Sequence, residues 1–357
     1  MNGEKYMKRL VVFILIGLLL CGCAPKVEPE CACEIDWDEK VTVNFDTWNE
    51  NADSLNKLKE YVEDVTDKTS EHFIPVEDRI AVFDMDGTLY GEKAPIYIEW
   101  LMFVHRVYDD ETFVADDEMK EVADKIIAAE NGNIPEELEE EHALQNARAY
   151  AGMTIGEYTD YVKNYVDRPA EGFKNITYAD MWYKPMLEVV DYLNQNDFEV
   201  YICSGTDRYM CRALAEGKVN IAQNHIIGMD VFVEASGQEG HDGLDYEYVK
   251  DDIVVRTDQF LLKNVKANKV SQIMQEIGRK PVLSFGNSTG DTSMARFVCD
   301  DNPYYSMAFM VVADDIVREN GNLEKAEAIR NRWNEHGFVS ISMADDWKTI
   351  YGENVTK

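Results

Sequence analysis

The stretch FDMDGTLY, residues 83 to 90, follows a short apolar run that begins at Ile80. A continuous run of this kind is typical of a strand that is buried on both faces of a parallel sheet. Two carboxylates, Asp84 and Asp86, come directly after the run, and a glycine and a threonine follow them. Ligands of open α/β sheets bind beyond the carboxyl ends of the strands. The stretch therefore predicts a strand that delivers two acids to a reaction centre.

Strand-like and helix-like patterns alternate along the second half of the chain. This alternation is typical of an α/β fold with a doubly wound, Rossmann-like parallel sheet, which is the fold we predict. The later strands are predicted at residues 198–203, 226–233, 246–256, 281–285 and 307–312.

The segment between residues 94 and 183 has a different pattern. Four stretches with helical spacing of apolar residues fill it, and no strand pattern interrupts them. We therefore predict an all-helical insertion at residues 94–183, which divides a core domain into residues 46–93 and 184–357.

The first 22 residues predict an export signal. A basic pair precedes an apolar run, residues 10–20, that is too short to span a bilayer as a permanent helix. Its ending, Leu20-Cys-Gly-Cys23, resembles the bacterial lipoprotein signal, in which a leucine stands three residues before a lipidated cysteine. We expect Cys23 to carry the lipid and residues 23–45 to form a tether, with the protein anchored in the cell envelope and facing outward. A plain signal peptide or a retained anchor is the alternative.

The charge of the chain limits its partners. It has 35 basic and 68 acidic residues, and no basic cluster follows the first nine positions. This balance argues against nucleic acid as a partner. An anionic substrate would need local positive charge from a metal ion or a few well-placed lysines. The tether cysteines Cys31 and Cys33 receive no predicted function.

Three further features share the geometry of the opening stretch. The predicted strand 198–203 ends in Ser204-Gly205, and a later strand ends in GNSTGD, residues 286–291. Lys269 stands at the start of a predicted helix, and Lys266, one turn earlier, is the rival for its role. Phosphoryl transfer needs a nucleophile, a proton donor and cationic groups, and each has a candidate here. A calcium loop is the alternative for the two acids, but the later acids do not fall at its spacing.

Taken in order, these motifs resemble those of the haloacid dehalogenase superfamily, a family of aspartate-nucleophile phosphatases. Asp84-Met-Asp-Gly-Thr88 is similar to its first motif, Ser204 to its second, Lys269 to its third and residues 286–291 to its fourth. The resemblance covers residue 46 to the C-terminus and places the insertion where the family has its cap. More narrowly, the segment from Lys269 onward resembles phosphoserine-phosphatase-like bacterial hydrolases.

The resemblance implies a phosphomonoesterase that acts on a small phosphorylated metabolite. It implies that Asp84 attacks phosphorus and becomes an aspartyl phosphate, and that Asp86 protonates the leaving alcohol and later activates water. Ser204 and the amide of Gly205 are implied to hold phosphate oxygens, and Lys269 to balance the charge of the nucleophile and the phosphate. Asp86 favours phosphate esters over haloacids, because a halide leaves without a proton.

The resemblance also implies a magnesium cofactor. Its ligands would be the Asp84 carboxylate, the Asp86 carbonyl and the fourth motif, which suits a hard cation. Asn287 departs from the family pattern, because an acid is common at this position. An amide oxygen binds magnesium less strongly, so we expect Asp291 to carry more of the coordination, directly or through water.

Two other functions remain open. A phosphotransferase would use the same aspartyl phosphate but pass it to an alcohol. A catalytically weak, substrate-binding lipoprotein is the other alternative, and the asparagine at position 287 is its sequence hint.

Eight aromatic residues of the insertion bear on the substrate. Most of them are expected to form the core of the insertion. One or two are candidates to line a pocket for a cationic leaving group such as choline, where cation–π attraction and the acidic surface would both help. The eight are Tyr97, Trp100, Tyr150, Tyr158, Tyr161, Tyr165, Trp182 and Tyr183.

Overall fold

The computed structural model describes residues 43–129 and 134–357, all of which belong to one compact unit. The predicted export signal, Cys23, the tether cysteines and most of the tether lie outside the described residues. Within the described ranges, no helix has the length and apolar character needed to cross a bilayer.

A seven-stranded sheet lies at the centre of the described residues, in the order β4-β3-β2-β1-β5-β6-β7. Neighbouring strands are parallel, except that β4 is antiparallel to β3. This sheet confirms the predicted Rossmann-like α/β fold. The strands are β1 (Ile80–Phe83), β2 (Glu199–Asp207), β3 (Ile226–Ala235), β4 (Val254–Leu262), β5 (Leu283–Gly286), β6 (Met307–Val312) and β7 (Val339–Ser342).

Ten α-helices are present in the described residues, and several pack against the sheet. Helices α2 to α5 fall between β1 and β2 in the chain, where the all-helical insertion is predicted. The domain boundaries themselves stay a prediction. The helices are α1 (Asp53–Thr66), α2 (Ile98–Tyr108), α3 (Asp117–Ala129), α4 (Glu136–Ala149), α5 (Ile155–Val166), α6 (Lys184–Gln195), α7 (Arg208–Ala215), α8 (Ala267–Glu276), α9 (Thr292–Cys299) and α10 (Leu323–Glu335).

Strand β1 is the central strand that positions the site. All four of its residues are buried, as its apolar run predicts. Phe83, its last residue, is paired with Ile202 of β2 and with Phe285 of β5, and the two phenylalanine rings stack 4.1 Å apart. The three strands run in the same direction, so the residues that follow them meet at one edge of the sheet.

Two connecting segments, which we call the crossings, link the group of helices α2 to α5 to the rest of the fold. They run side by side as a short antiparallel ribbon, in which Tyr90 is paired with Trp182. The backbone N–H of Gly91 donates to Met181, and that of Tyr183 donates to Leu89, each at 2.8 Å. A second attachment lies at β4, where the backbone N–H groups of Gly152 and Arg256 bond to Arg256 and Met153, respectively, at 2.8 Å.

The strand predicted at residues 246–256 is wrong in its first part, because β4 begins at Val254. The carboxylate of Asp252 accepts hydrogen bonds from the backbone N–H groups of Val249 and Gly237, both at 2.8 Å. These bonds fold the preceding residues into turns, which no alternation of apolar residues encodes.

The last helix and strand, α10 and β7, were not predicted. Helix α10 buries only Ala326 and Trp333, so its apolar period is weak. Strand β7 has four residues, of which Ile341 alone is fully buried. Both elements lie beyond β6, where Trp333 packs with Met310 and Val312 in an apolar cluster.

Candidate active site

A cavity of about 220 Å³ opens at the carboxyl ends of β1, β2 and β5. Asp84, Asp86, Gly205 and Lys269 line it, together with residues 287–291 of the fourth motif. The structure thus brings the predicted site residues to one place. Ser204 is fully buried behind this wall, with no exposed surface.

Lys269 joins the first and fourth motifs. Its ammonium group donates to Asp84 Oδ1 at 2.5 Å, to Asp291 Oδ1 at 2.7 Å and to the carbonyl oxygen of Cys203 at 2.6 Å. Burial lowers the pKa of Lys269, but the charges of Asp291 and Asp84 outweigh it and raise the pKa above its ordinary value. The lysine therefore stays protonated beside the predicted nucleophile. Lys266, its rival in the sequence, lies on the cavity wall.

Asp84 occupies a buried position at the end of β1. Burial and the nearby charge of Asp291 raise its pKa, and the ion pair with Lys269 opposes this shift. A carboxylate that is this well screened from water keeps fewer competing hydrogen bonds than one on the surface. Its surroundings suit a nucleophile whose charge is balanced by one lysine.

Asp86 receives one hydrogen bond from a residue that the sequence did not indicate. The hydroxyl group of Thr206 donates to Asp86 Oδ2 at 2.7 Å, whereas Oδ1 is buried without a partner among the described residues. Burial raises the pKa of Asp86 to about 6. A carboxyl group with a pKa closer to neutrality is well suited to general acid and base catalysis. The position of Thr206, two residues after Ser204, was its only sequence signal.

The end of β2 brings backbone close to the cavity. A Cβ atom at Gly205 would lie 2.9 Å from Cγ1 of Val265, so a larger residue would collide with the loop that follows β4. The hydroxyl oxygen of Ser204 accepts from the backbone N–H of Thr206 at 3.1 Å. The side chain of Asn264 donates to the carbonyl oxygen of Ser204 at 3.0 Å, and this buried hydrogen bond holds the end of β2 in place.

In the fourth motif, Asp291 and Asn287 have different surroundings. Asp291 Oδ2 accepts from the backbone N–H groups of Asn287 and Ser288, at 3.1 and 3.0 Å, while its Oδ1 binds Lys269. The side chain of Asn287 lies over Gly87, where a Cβ atom would be 2.0 Å from Asn287 Nδ2. Gly87 also has φ near +80°, which glycine adopts without strain. Asn287 is therefore the side chain of this loop that reaches the first motif.

The donor atoms at this edge fit a magnesium ion with few protein ligands. Asp84, Asp86 and Asn287 line one cavity, and their carboxylate, carbonyl and amide groups offer oxygen atoms. In the same part of the chain, no group of three or more His, Cys, Asp or Glu side chains is arranged to hold a metal. Magnesium is commonly bound by one or two carboxylates, waters and substrate phosphate, and this donor set matches that pattern.

A buried charged cluster lies behind Thr206, and the sequence did not indicate it. Asp207 accepts from Arg256 at 2.7 and 3.3 Å, and neither side chain is exposed. The backbone N–H of Asp207 donates to Glu99 of α2 at 2.8 Å. Arg256 lies 3.9 Å from the ring centroid of Tyr158 of α5. We call Glu99, Asp207 and Arg256 the buried charge cluster.

Residues of the insertion, together with Glu92 just before it, form one side of the cavity. Glu92, Tyr97 and Glu139 line it there, and the hydroxyl group of Tyr97 donates to Glu92 at 3.2 Å. The charge of Glu92 is the main cause that raises the pKa of Tyr97. Tyr97 is the member of the eight aromatic residues that reaches the cavity. Six others are buried: Trp100, Tyr150, Tyr158, Tyr165, Trp182 and Tyr183.

Several solved structures are similar to this chain at low identity. A conserved protein of unknown function from Anaerococcus prevotii is 14% identical, with 83% of this chain and 92% of that chain covered and a TM-score of 0.48. A phosphoserine phosphohydrolase-like protein from Francisella tularensis is 14% identical, covering 70% and 92%, with a TM-score of 0.38. Cytosolic 5'-nucleotidase IIIB bound to cytidine is 11% identical, covering 82% and 87%, with a TM-score of 0.49.

No curated protein sequence matches the chain. The model of the haloacid dehalogenase-like hydrolase family matches residues 79–297. This range is more than half of the chain, and it contains the two acids after β1, the end of β2, Lys269 and the fourth motif. The chain therefore belongs to the haloacid dehalogenase-like hydrolases.

Proposed function

We propose that this hydrolase is a magnesium-dependent phosphomonoesterase that forms an aspartyl phosphate on Asp84. The observation that carries the proposal is the buried contact between Asp84 and Lys269, with Asp86 on the same cavity wall. A charge-balanced carboxylate with a second carboxyl group two residues later supplies both a nucleophile and a proton donor.

The proposed reaction has two steps. An Asp84 oxygen attacks phosphorus, the ester O–P bond breaks, and Asp86 gives its proton to the departing alcohol oxygen. A water molecule then attacks the aspartyl phosphate, Asp86 takes a proton from it, and Asp84 and phosphate are released. In this proposal Lys269 and the backbone amide of Gly205, which line the cavity, stabilise the phosphoryl oxygens.

The magnesium ion would be held by Asp84, the Asp86 carbonyl and Asn287. When bound, it supplies positive charge that holds and polarises the phosphoryl group. Asp291 contributes by keeping Lys269 and the backbone of residues 287 and 288 in place, because both of its oxygens are engaged. We therefore propose Asn287 as the direct ligand, in place of the larger share of the coordination expected for Asp291 from the sequence.

The test is phosphate release from p-nitrophenyl phosphate with a chelator and with added magnesium. We expect the chelator to abolish release and magnesium to restore it, because the phosphoryl charge is otherwise poorly balanced. Asn287→Asp is expected to reach half-maximal release at a lower magnesium concentration, since a carboxylate binds the ion more strongly. Release that is indifferent to chelator would contradict the metal role. Added acceptor alcohols separate hydrolysis from phosphotransfer.

We further propose that the substrate has a cationic leaving group. Negative side chains outnumber positive ones on the cavity wall, and Lys93, 3.9 Å from Glu92, balances only part of this excess. The ring of Tyr97 beside two carboxylates suits an ammonium group. The charged residues that line the cavity are Asp84, Asp86, Glu92, Glu139, Asp291, Lys266 and Lys269.

Substitution of Tyr97 tests this choice of substrate. Tyr97→Ala is expected to raise the KM for phosphocholine about tenfold, corresponding to roughly 1.4 kcal/mol of cation–π attraction, and to change the KM for a neutral alkyl phosphate little. Tyr97→Phe keeps the ring and serves as the matched control. An equal change in KM for both esters would contradict the cationic leaving group but would not affect the phosphatase proposal.

We also propose that the enzyme is a lipoprotein of the cell envelope, anchored through Cys23 and facing outward. The support is the sequence that ends in Leu20-Cys-Gly-Cys23, after a short apolar run with a basic flank. The phosphatase assay above then also tests the anchor, because the activity should sediment with membranes and be released when Cys23 is replaced by alanine.

A further inference from the structure

The proton transfers assigned to Asp86 require one of its oxygens to face the leaving group. Asp86 Oδ2 accepts the Thr206 hydroxyl at 2.7 Å, and Oδ1 has no partner within the described residues. Thr206 itself lines the cavity and is almost fully buried. We infer that Thr206 is a positioning residue that fixes the acid-base carboxyl group of Asp86. This inference rests on the proposed function.

The hydrogen bond also distinguishes the two oxygens of the Asp86 carboxyl group. A threonine hydroxyl has one proton to donate, and here it is donated to Oδ2 of Asp86. In the acid form of a carboxyl group, the oxygen that accepts is the carbonyl oxygen and the other one carries the proton. The contact with Thr206 therefore fixes the orientation of the Asp86 carboxyl group and makes its two oxygens inequivalent.

Thr206 is itself held on both sides. Its backbone N–H donates to the hydroxyl oxygen of Ser204, and its β-branched side chain restricts rotation about χ1. The next residue, Asp207, is fixed by the buried charge cluster and also accepts from the backbone N–H groups of Tyr209 and Met210 at the start of α7. Glu99 of that cluster comes from α2, so the inserted helices help to set the position of the threonine.

The inference has a kinetic signature. An alkyl alcohol is a poor leaving group and needs a proton as it departs, whereas p-nitrophenolate is weakly basic and leaves without one. The ratio kcat/KM depends on the steps up to the departure of the leaving group. It does not depend on the later hydrolysis of the aspartyl phosphate. Misplacing Asp86 should therefore lower kcat/KM for an alkyl ester selectively.

The experiment compares Thr206→Val with the wild-type full-length protein in magnesium. For glycerol 2-phosphate we expect kcat/KM to fall about tenfold to a hundredfold, through kcat and not KM, as partial loss of general acid catalysis requires. For p-nitrophenyl phosphate we expect a fall of less than about threefold. Thr206→Ser, which keeps the hydroxyl group, is expected to restore the wild-type ratio of the two substrates.

The outcomes separate the inference from the proposed function. Suppose that Asp84→Asn is inactive but Thr206→Val lowers kcat/KM equally for both substrates, or for neither of them. The positioning role is then wrong and the phosphatase proposal stands. If Asp84→Asn keeps its activity, the proposed function fails first. Thermal unfolding checks that Thr206→Val folds, and Thr206→Ala replaces it in the same comparison if it does not.

Discussion

Asp84→Asn is expected to lower phosphate release by on the order of 10³-fold or more. The substitution keeps the shape of the side chain but replaces the attacking carboxylate by an amide, which cannot form the phosphoryl intermediate. Lys269 retains Asp291 and the carbonyl oxygen of Cys203 as partners, so the cavity should keep its form. The loss is therefore expected in kcat and not in folding.

The measurement is phosphate release together with acid-quench trapping of the phosphoenzyme. Wild-type protein should retain labelled phosphate after denaturation, and Asp84→Asn should retain none. Asp109→Asn is the matched control, because it removes the same charge from an exposed side chain. Asp109 directly follows α2, and its side chain is 65% exposed. An Asp84→Asn protein with full activity would exclude the aspartyl phosphate.

Arg256→Met is expected to lower the free energy of unfolding by about 3–5 kcal/mol. The substitution leaves the carboxylate of Asp207 buried without its cationic partner, and both side chains are fully buried in the ion pair. Two backbone N–H groups at the start of α7 still bond to Asp207, but they do not replace a full positive charge. The methionine keeps contact with the ring of Tyr158, so packing contributes less than charge to the loss.

Urea unfolding of the two proteins measures this effect. Arg148→Met is the matched control, because Arg148 pairs with Asp116 and Glu118 while its side chain is 34% exposed. A solvent-exposed pair contributes at most about 1 kcal/mol, so this variant should be nearly as stable as the wild type. Equal losses in the two variants would show that burial of the Asp207 pair has no special effect.

The fold and the family could be predicted because their signals are local. The apolar run Ile80–Phe83 and the acids Asp84 and Asp86 lie within eight residues of each other. The alternation of strands and helices can also be recognised without knowledge of distant contacts. The carboxyl ends of parallel strands then bring the separate motifs together. Lys269 and the loop that ends at Asp291 could be found for the same reason.

The buried charge cluster could not be predicted, because its partners are far apart in the chain. Glu99 and Asp207 are separated by 108 positions, and Asp207 and Arg256 by 49. In its local sequence, each of these residues looks like an ordinary charged residue of a helix or strand. Thr206 was missed for a related reason, since its role depends on Asp86, which lies 120 positions earlier.

The paired crossings of the inserted helices have a consequence for what can enter the site. Residues on both crossings are hydrogen-bonded to each other, and the helices are attached again at β4 and at Asp207. Because the inserted helices are attached at several points, we expect them to move only by small amounts relative to the sheet. We therefore expect small free phosphomonoesters to reach Asp84 more readily than phosphorylated side chains on folded proteins.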